Sequence, residues 1–114
     1  GFLTMLAQDY SGGLEIRSPG SNAWEAVPPM PGSFVLNIGN ALSLMTNGRF
    51  VSTAHRVNNP SRQRSRYSVA IFFDPCLDAE VEVLNGFKTG ATSLPSMNFG
   101  EYFSSRLAVN YDYS

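Results

Sequence analysis

With 114 residues and a formal net charge of −1, the chain has room for one small domain and carries no overall field that would draw nucleic acid or an anionic membrane. Cys76 is its only cysteine, which excludes an internal disulfide and fits a reducing, cytoplasmic setting. No apolar run approaches the roughly 20 residues that a membrane-crossing helix needs.

In chain order, residues 2–8 are apolar with one Thr and read as a buried strand. Asp9-Tyr10-Ser11-Gly12-Gly13 reads as a turn whose glycines can take positive φ. Residues 14–17 and 24–27 alternate apolar and polar on either side of Ser18-Pro19-Gly20-Ser21-Asn22, the pattern of a hairpin. Pro28-Pro29-Met30-Pro31-Gly32 then bars helix and sheet pairing alike. Residues 33–39 are rich in β-formers, and residues 40–46 suit a short helix with Asn40 as N-cap and Asn47-Gly48 as its close. Residues 50–57 predict a strand, 58–65 a polar loop, and 66–73 the most strongly β-patterned run of the chain, ended by Asp74-Pro75. Residues 79–84 alternate once more, and 85–96 is a Gly-, Thr- and Ser-rich connection. Residues 97–109 suit a helix in which Phe99, Phe103 and Leu107 recur at helical spacing, a stripe expected to pack in the core. The tail 110–114 has no clear pattern. Short strands between Gly/Pro turns, with minor helix, predict an all-β sandwich, jelly roll or barrel.

The chemistry concentrates between residues 47 and 75. His55 is the only histidine, and an imidazole on a strand can serve a metal. Arg66 and Ser68 stand two apart on a predicted strand, so a guanidinium fork and a hydroxyl project together, a receptor suited to a carboxylate. The competing reading for Arg66 is a cross-strand ion pair with Glu80 or Glu82. Tyr67 alternates to the opposite side and is expected to pack there, with Trp24 in the core or at its rim. Arg49, Arg56, Arg62, Arg64 and Arg66 cluster locally, which raises an RNA-binding reading, but the balance of charge favours a solvated loop with one functional arginine.

A series of ordered motifs then resembles one family. Gly-Phe-Leu-Thr-Met-Leu-Ala-Gln-Asp (1–9), Gly-Gly-Leu-Glu-Ile (12–16), Trp24 with Val27-Pro28-Pro29, Pro31-Gly32-Ser33-Phe34-Val35-Leu36-Asn37-Ile38-Gly39, Thr46-Asn47-Gly48-Arg49-Phe50, Ser52-Thr53-Ala54-His55-Arg56-Val57, and Arg66-Tyr67-Ser68 through Phe72-Phe73-Asp74-Pro75 together resemble the isopenicillin N synthase-like Fe(II)/2-oxoglutarate-dependent oxygenases. Gly100-Glu101-Tyr102 is similar to the start of that family's C-terminal helix.

The resemblance implies a distorted double-stranded β-helix, the jelly roll, with Fe(II), 2-oxoglutarate as co-substrate, and ascorbate as a further cofactor. His55 matches the family's distal iron-binding histidine. Arg66 and Ser68 match the Arg-x-Ser pair that takes the far carboxylate of 2-oxoglutarate or, in isopenicillin N synthase itself, a substrate carboxylate. The partner is then a small organic molecule, with neither nucleic acid nor membrane. The family's His-x-Asp pair lies just before the segment that matches Gly1-Phe2-Leu3-Thr4, so the expectation is the C-terminal part of a longer oxygenase, its jelly roll incomplete at the N-terminal side. Asp9, Asp74, Asp78 and Asp112 are carboxylates that do not match the family's ligand position. The reading from a different class is a non-catalytic jelly-roll domain that retains a carboxylate pocket.

Overall fold

The computed structural model describes residues 1–59, 61, 63–90 and 94–110; Pro60, Arg62, residues 91–93 and the tail 111–114, Asp112 included, lie outside them. The elements run β1 (Leu3–Gln8), β2 (Leu14–Arg17), β3 (Trp24–Ala26), β4 (Val35–Ile38), α1 (Asn40–Met45), β5 (His55–Val57), β6 (Ser68–Phe73), β7 (Glu80–Val81), a 3₁₀ turn (Asn85–Phe87), β8 (Met97–Asn98) and α2 (Phe99–Asn110). The expectation of an all-β chain with minor helix therefore holds.

Two three-stranded antiparallel sheets carry the fold, in the orders β4-β1-β6 and β3-β2-β5, with a small β7-β8 pair beside them. In the first sheet Met5 lies opposite both Leu36 and Ile71, and Gln8 lies opposite Ser68. Directly opposed residues share a face and alternate residues keep it. Gln8 and Ser68 thus stand on the face of Leu6 and Ala70, away from Met5, Leu36 and Ile71. In the second sheet Ile16 lies opposite His55 and Glu15 opposite Arg56, while Arg17 pairs with Trp24. His55 and Arg56 consequently project from opposite faces.

The tightest packing is where α1, β7 and α2 meet: Ala41, Val81 and Phe99 are buried, with Phe2, Leu44, Met45, Met97 and Tyr102 packed around them. Phe99 is 1% exposed, and burying a side chain of that size contributes about 1.5–3 kcal/mol. The first sheet is not covered in this way. Leu36, Val69, Ile71, Phe72 and Phe73 are all exposed, and the radius of gyration, 16.3 Å, exceeds the ~13 Å of a compact domain this long.

Several elements are shorter or capped differently from the sequence pattern, each for a local reason. The strand expected over 50–57 is confined to His55–Val57, because the Phe50 N–H donates to Thr46 Oγ1 at 3.1 Å instead of entering a ladder. β6 starts at Ser68, not at 66, since the Tyr67 N–H donates to the Asp9 carboxylate at 2.7 Å. Tyr67 itself is 74% exposed and packs on neither face. The strand over 79–84 shrinks to Glu80–Val81, and the Leu84 N–H donates to the Met45 carbonyl at 2.9 Å. Gly39, not Asn40, caps α1; the Asn40 amide donates to the Tyr102 hydroxyl at 2.6 Å and ties α1 to α2. Asn47 and Gly48 do close α1, both in the left-handed region, with the Gly48 N–H donating to the Ser43 carbonyl at 2.7 Å. The helix over 97–109 begins two residues later, with Asn98 as its cap: its Oδ1 accepts from the Glu101 N–H at 3.1 Å. Of the aromatic stripe only Phe99 is buried; Phe103 stacks on it at 6.0 Å between centroids, and both Phe103 and Leu107 are exposed.

Candidate functional site

The turn between β1 and β2 organises the site. Gly12 and Gly13 both have positive φ, +79° and +99°, a region in which a side chain is strained. That conformation aims their carbonyls two ways. The Gly12 carbonyl accepts from Arg66 Nε at 3.1 Å, and the Gly13 carbonyl accepts from the Asn58 N–H at 2.7 Å. A Cβ on Gly13 would lie 2.7 Å from the Asn58 carbonyl oxygen. Gly13→Ala is therefore expected to destabilise the protein by ~1–3 kcal/mol, read as a lowered urea midpoint; an unchanged midpoint would refute the tightness of this approach.

Asp9 pins the turn. Its carboxylate accepts from the Ser11 hydroxyl, from the Ser11 N–H at 3.0 Å and from the Tyr67 N–H at 2.7 Å. The Ser11 hydroxyl first, then the Tyr67 and Ser11 backbone donors, with the Arg66 charge adding to them, hold its pKa at about 2 against an ordinary 3.8. Folding thus lowers this pKa, so Asp9 contributes stability that is present above the unfolded value and lost as pH falls through about 2. Asp9→Asn should flatten the decline of the thermal midpoint between roughly pH 4 and pH 2, and a slope equal to that of the wild type would contradict this assignment.

Arg66 is half-buried, and three acceptors hold its guanidinium. Besides the Gly12 carbonyl, Nη2 donates to Gln8 Oε1 at 3.1 Å and Nη1 to Ser68 Oγ at 3.2 Å. Guanidinium has five N–H groups. Three are thus occupied, leaving one on Nη1 and one on Nη2 without a partner among the described residues. One N–H on each terminal nitrogen is the donor set with which a guanidinium can take a carboxylate bidentately. Ser68 Oγ accepts from Arg66, so its own O–H is free to donate. The structure brings Arg66 and Ser68 together as expected, although Arg66 stands outside the strand. The ion pair with Glu80 or Glu82 does not form. Gln8 was not singled out by the sequence, and its only signal is its place on β1 opposite Ser68.

His55 opens β5 and is exposed. Its Nδ1 lies 3.1 Å from the Thr53 carbonyl oxygen. A carbonyl can only accept, so Nδ1 is the donor in this contact, and in the Nδ1–H tautomer Nε2 is the nitrogen that could bind a metal. Next to it, Arg56 Nε donates to Glu15 at 2.6 Å, and its guanidinium lies 4.2 Å from the centre of the Trp24 ring. That contact, worth about 0.5–1 kcal/mol at such a site, ties β5 to β2 and β3. Trp24 is accordingly half-buried under arginine, Arg17 lying 5.6 Å from the ring centre as well. Of the basic cluster, Arg56 and Arg66 are thus engaged within the fold.

The two glycine carbonyls link the two groups. Arg66 rests on Gly12, Asn58 on Gly13, and three residues of extended chain, about 10 Å, lead from Asn58 back to His55. His55 fits one metal bond. Among the described residues no group of three His, Cys, Asp or Glu side chains could hold a metal ion. Asp9 is engaged by Ser11 and Tyr67, and Asp74 accepts from the Phe2 N–H at 3.0 Å.

A sequence model described as the 2OG-Fe(II) oxygenase superfamily matches residues 1–75. The 1-aminocyclopropane-1-carboxylate oxidase of Dictyostelium discoideum is 43% identical over 79 residues, covering 69% of this chain and 22% of that protein. Homoarginine-6-hydroxylase 2-ODD-C23 of Glycine max is 36% identical over 115 residues, covering 97% of this chain and 34% of that protein. Among solved structures, that of a full-length Neurospora crassa protein in complex with alpha-KG aligns with a TM-score of 0.85 at 32% identity, over 97% of this chain and 35% of that one. The chain thus spans between about a fifth and a third of these relatives, and its sheets are those of the jelly roll.

Proposed function

The chain belongs to the 2OG-Fe(II) oxygenase superfamily, and from that premise we propose that its protein is an Fe(II)- and 2-oxoglutarate-dependent dioxygenase that oxidises a small organic substrate and releases succinate and CO₂. The observation that carries this reading is the Arg66 guanidinium, held by Gly12, Gln8 and Ser68 with one N–H on each terminal nitrogen not used by those contacts. In this reading the fork and the Ser68 hydroxyl hold the distal carboxylate of 2-oxoglutarate, and His55 supplies one imidazole to the iron through Nε2. Bound there with ligands from outside this chain, iron would provide the site at which the oxoacid and O₂ react, and ascorbate would serve as accessory reductant. The residues of this chain contribute orientation: a charge-assisted anchor at one end of the oxoacid and a tautomer-fixed imidazole at the other.

One relative favours a second use of the same clamp. The Dictyostelium protein is named for a substrate that itself bears a carboxylate, and by that likeness Arg66 and Ser68 of this chain would take a substrate's carboxylate in place of that of 2-oxoglutarate. Incubating the whole protein with Fe(II), ascorbate and 2-oxoglutarate separates the two. Succinate and CO₂ formation supports the first reading, and turnover of a carboxylate substrate without succinate supports the second. A protein that catalyses neither, across a panel of carboxylate substrates, would be a binding domain and not an oxygenase.

A further inference from the structure

Gln8 lies outside the Arg-x-Ser pair, yet it makes one of the three contacts that fix the guanidinium. It sits near the end of β1, the central strand of its sheet, directly opposite Ser68. Gln8 Oε1 takes one N–H of Nη2 and Ser68 Oγ one N–H of Nη1, so the two side chains flank the guanidinium on its two terminal nitrogens. The Gly12 carbonyl holds the third nitrogen. An unanchored arginine has several rotors and would lose that freedom on binding a ligand; here it is already held. Gln8 does so with a neutral acceptor. A carboxylate at the same position would bond the same nitrogen but oppose the charge that the ligand needs. We infer that Gln8 is a positioning residue of the carboxylate clamp: its neutral amide, with the Gly12 carbonyl, aims the Arg66 guanidinium at a dicarboxylic oxoacid without setting a further negative charge against it.

This inference rests on the reading of Arg66 and Ser68 as the clamp for 2-oxoglutarate, and its test separates the two. Affinities of the whole protein for 2-oxoglutarate and for 2-oxopentanoate, which has the same oxoacid end but no distal carboxylate, are measured by calorimetry with Mn(II) in place of iron. Gln8→Met removes the acceptor; Gln8→Glu keeps an acceptor and adds charge. Both variants are expected to bind 2-oxoglutarate about tenfold or more weakly, the effect of one hydrogen bond to a charged group, with Gln8→Glu the weaker, while 2-oxopentanoate binds as in the wild type. A merely structural role would weaken both ligands in parallel, and that outcome, or no change at all, overturns the inference if Arg66→Met still loses 2-oxoglutarate selectively. If Arg66→Met shows no selective loss, the clamp reading itself fails and Gln8 has nothing to aim.

Discussion

Replacing Arg66 by methionine is expected to weaken 2-oxoglutarate binding by the whole protein on the order of 100-fold or more, since two hydrogen bonds from a charged donor contribute about 3 kcal/mol or more together. Those two bonds would come from the N–H groups, one on each terminal nitrogen, that the contacts with Gly12, Gln8 and Ser68 do not use. Methionine keeps the length and apolar stem of the side chain but no donor. Arg66→Lys should recover only part of the loss. One ammonium has three donors on a single nitrogen and cannot face Gly12, Gln8 and Ser68 while presenting two parallel N–H groups to a carboxylate. Calorimetric titration reads both variants, and an affinity unchanged in Arg66→Met would remove the clamp from the mechanism.

The second large effect falls on His55. His55→Ala in the whole protein should abolish succinate release and lower metal affinity by more than ~100-fold, above the 10–100-fold range seen when only a ligand's hydrogen-bond partner is lost. The prediction follows from the Nδ1 contact with the Thr53 carbonyl, which leaves Nε2 as the nitrogen for a metal in the Nδ1–H tautomer. Metal content after dialysis and succinate yield are measured side by side. Normal turnover in the variant would contradict the assignment. Because Arg66 is held without any contact from His55, the His55 variant should retain the clamp's geometry, which makes the two effects separable.

The sequence made part of this site legible. A period of two on an extended run puts Arg66 and Ser68 on one side whether or not the ladder reaches Arg66, so their pairing survives even though β6 begins at Ser68. Gln8 was hidden because its importance comes from register: it stands opposite Ser68, and no local pattern states which strand will lie alongside which, or at what offset. Asn40 misleads for a related reason. Its amide suits a cap, but Tyr102, far along the chain, offers it a hydroxyl at 2.6 Å. The stripe of Phe99, Phe103 and Leu107 marks an apolar face correctly, but periodicity says only that a face is suited to burial, not how much of it is covered. Exposure of Phe103 and Leu107 is a matter of what lies beside the helix.

The position of β1 in the middle of its sheet has a bearing on how the molecule assembles. β1 is the first strand of the chain and β6 comes after four others, so the contact between Gln8 and Arg66 closes a separation of 58 residues. Local units such as the β2–β3 hairpin can form early, but long-range pairings must meet the entropy of bringing distant segments together before they gain anything. The β1–β6 pairing is of that long-range kind, since it joins residues 3–8 to residues 68–73. The three acceptors around Arg66 come together only at that step. Assembly of the contacts around Arg66 thus depends on two neighbouring strands, far apart along the chain, having met.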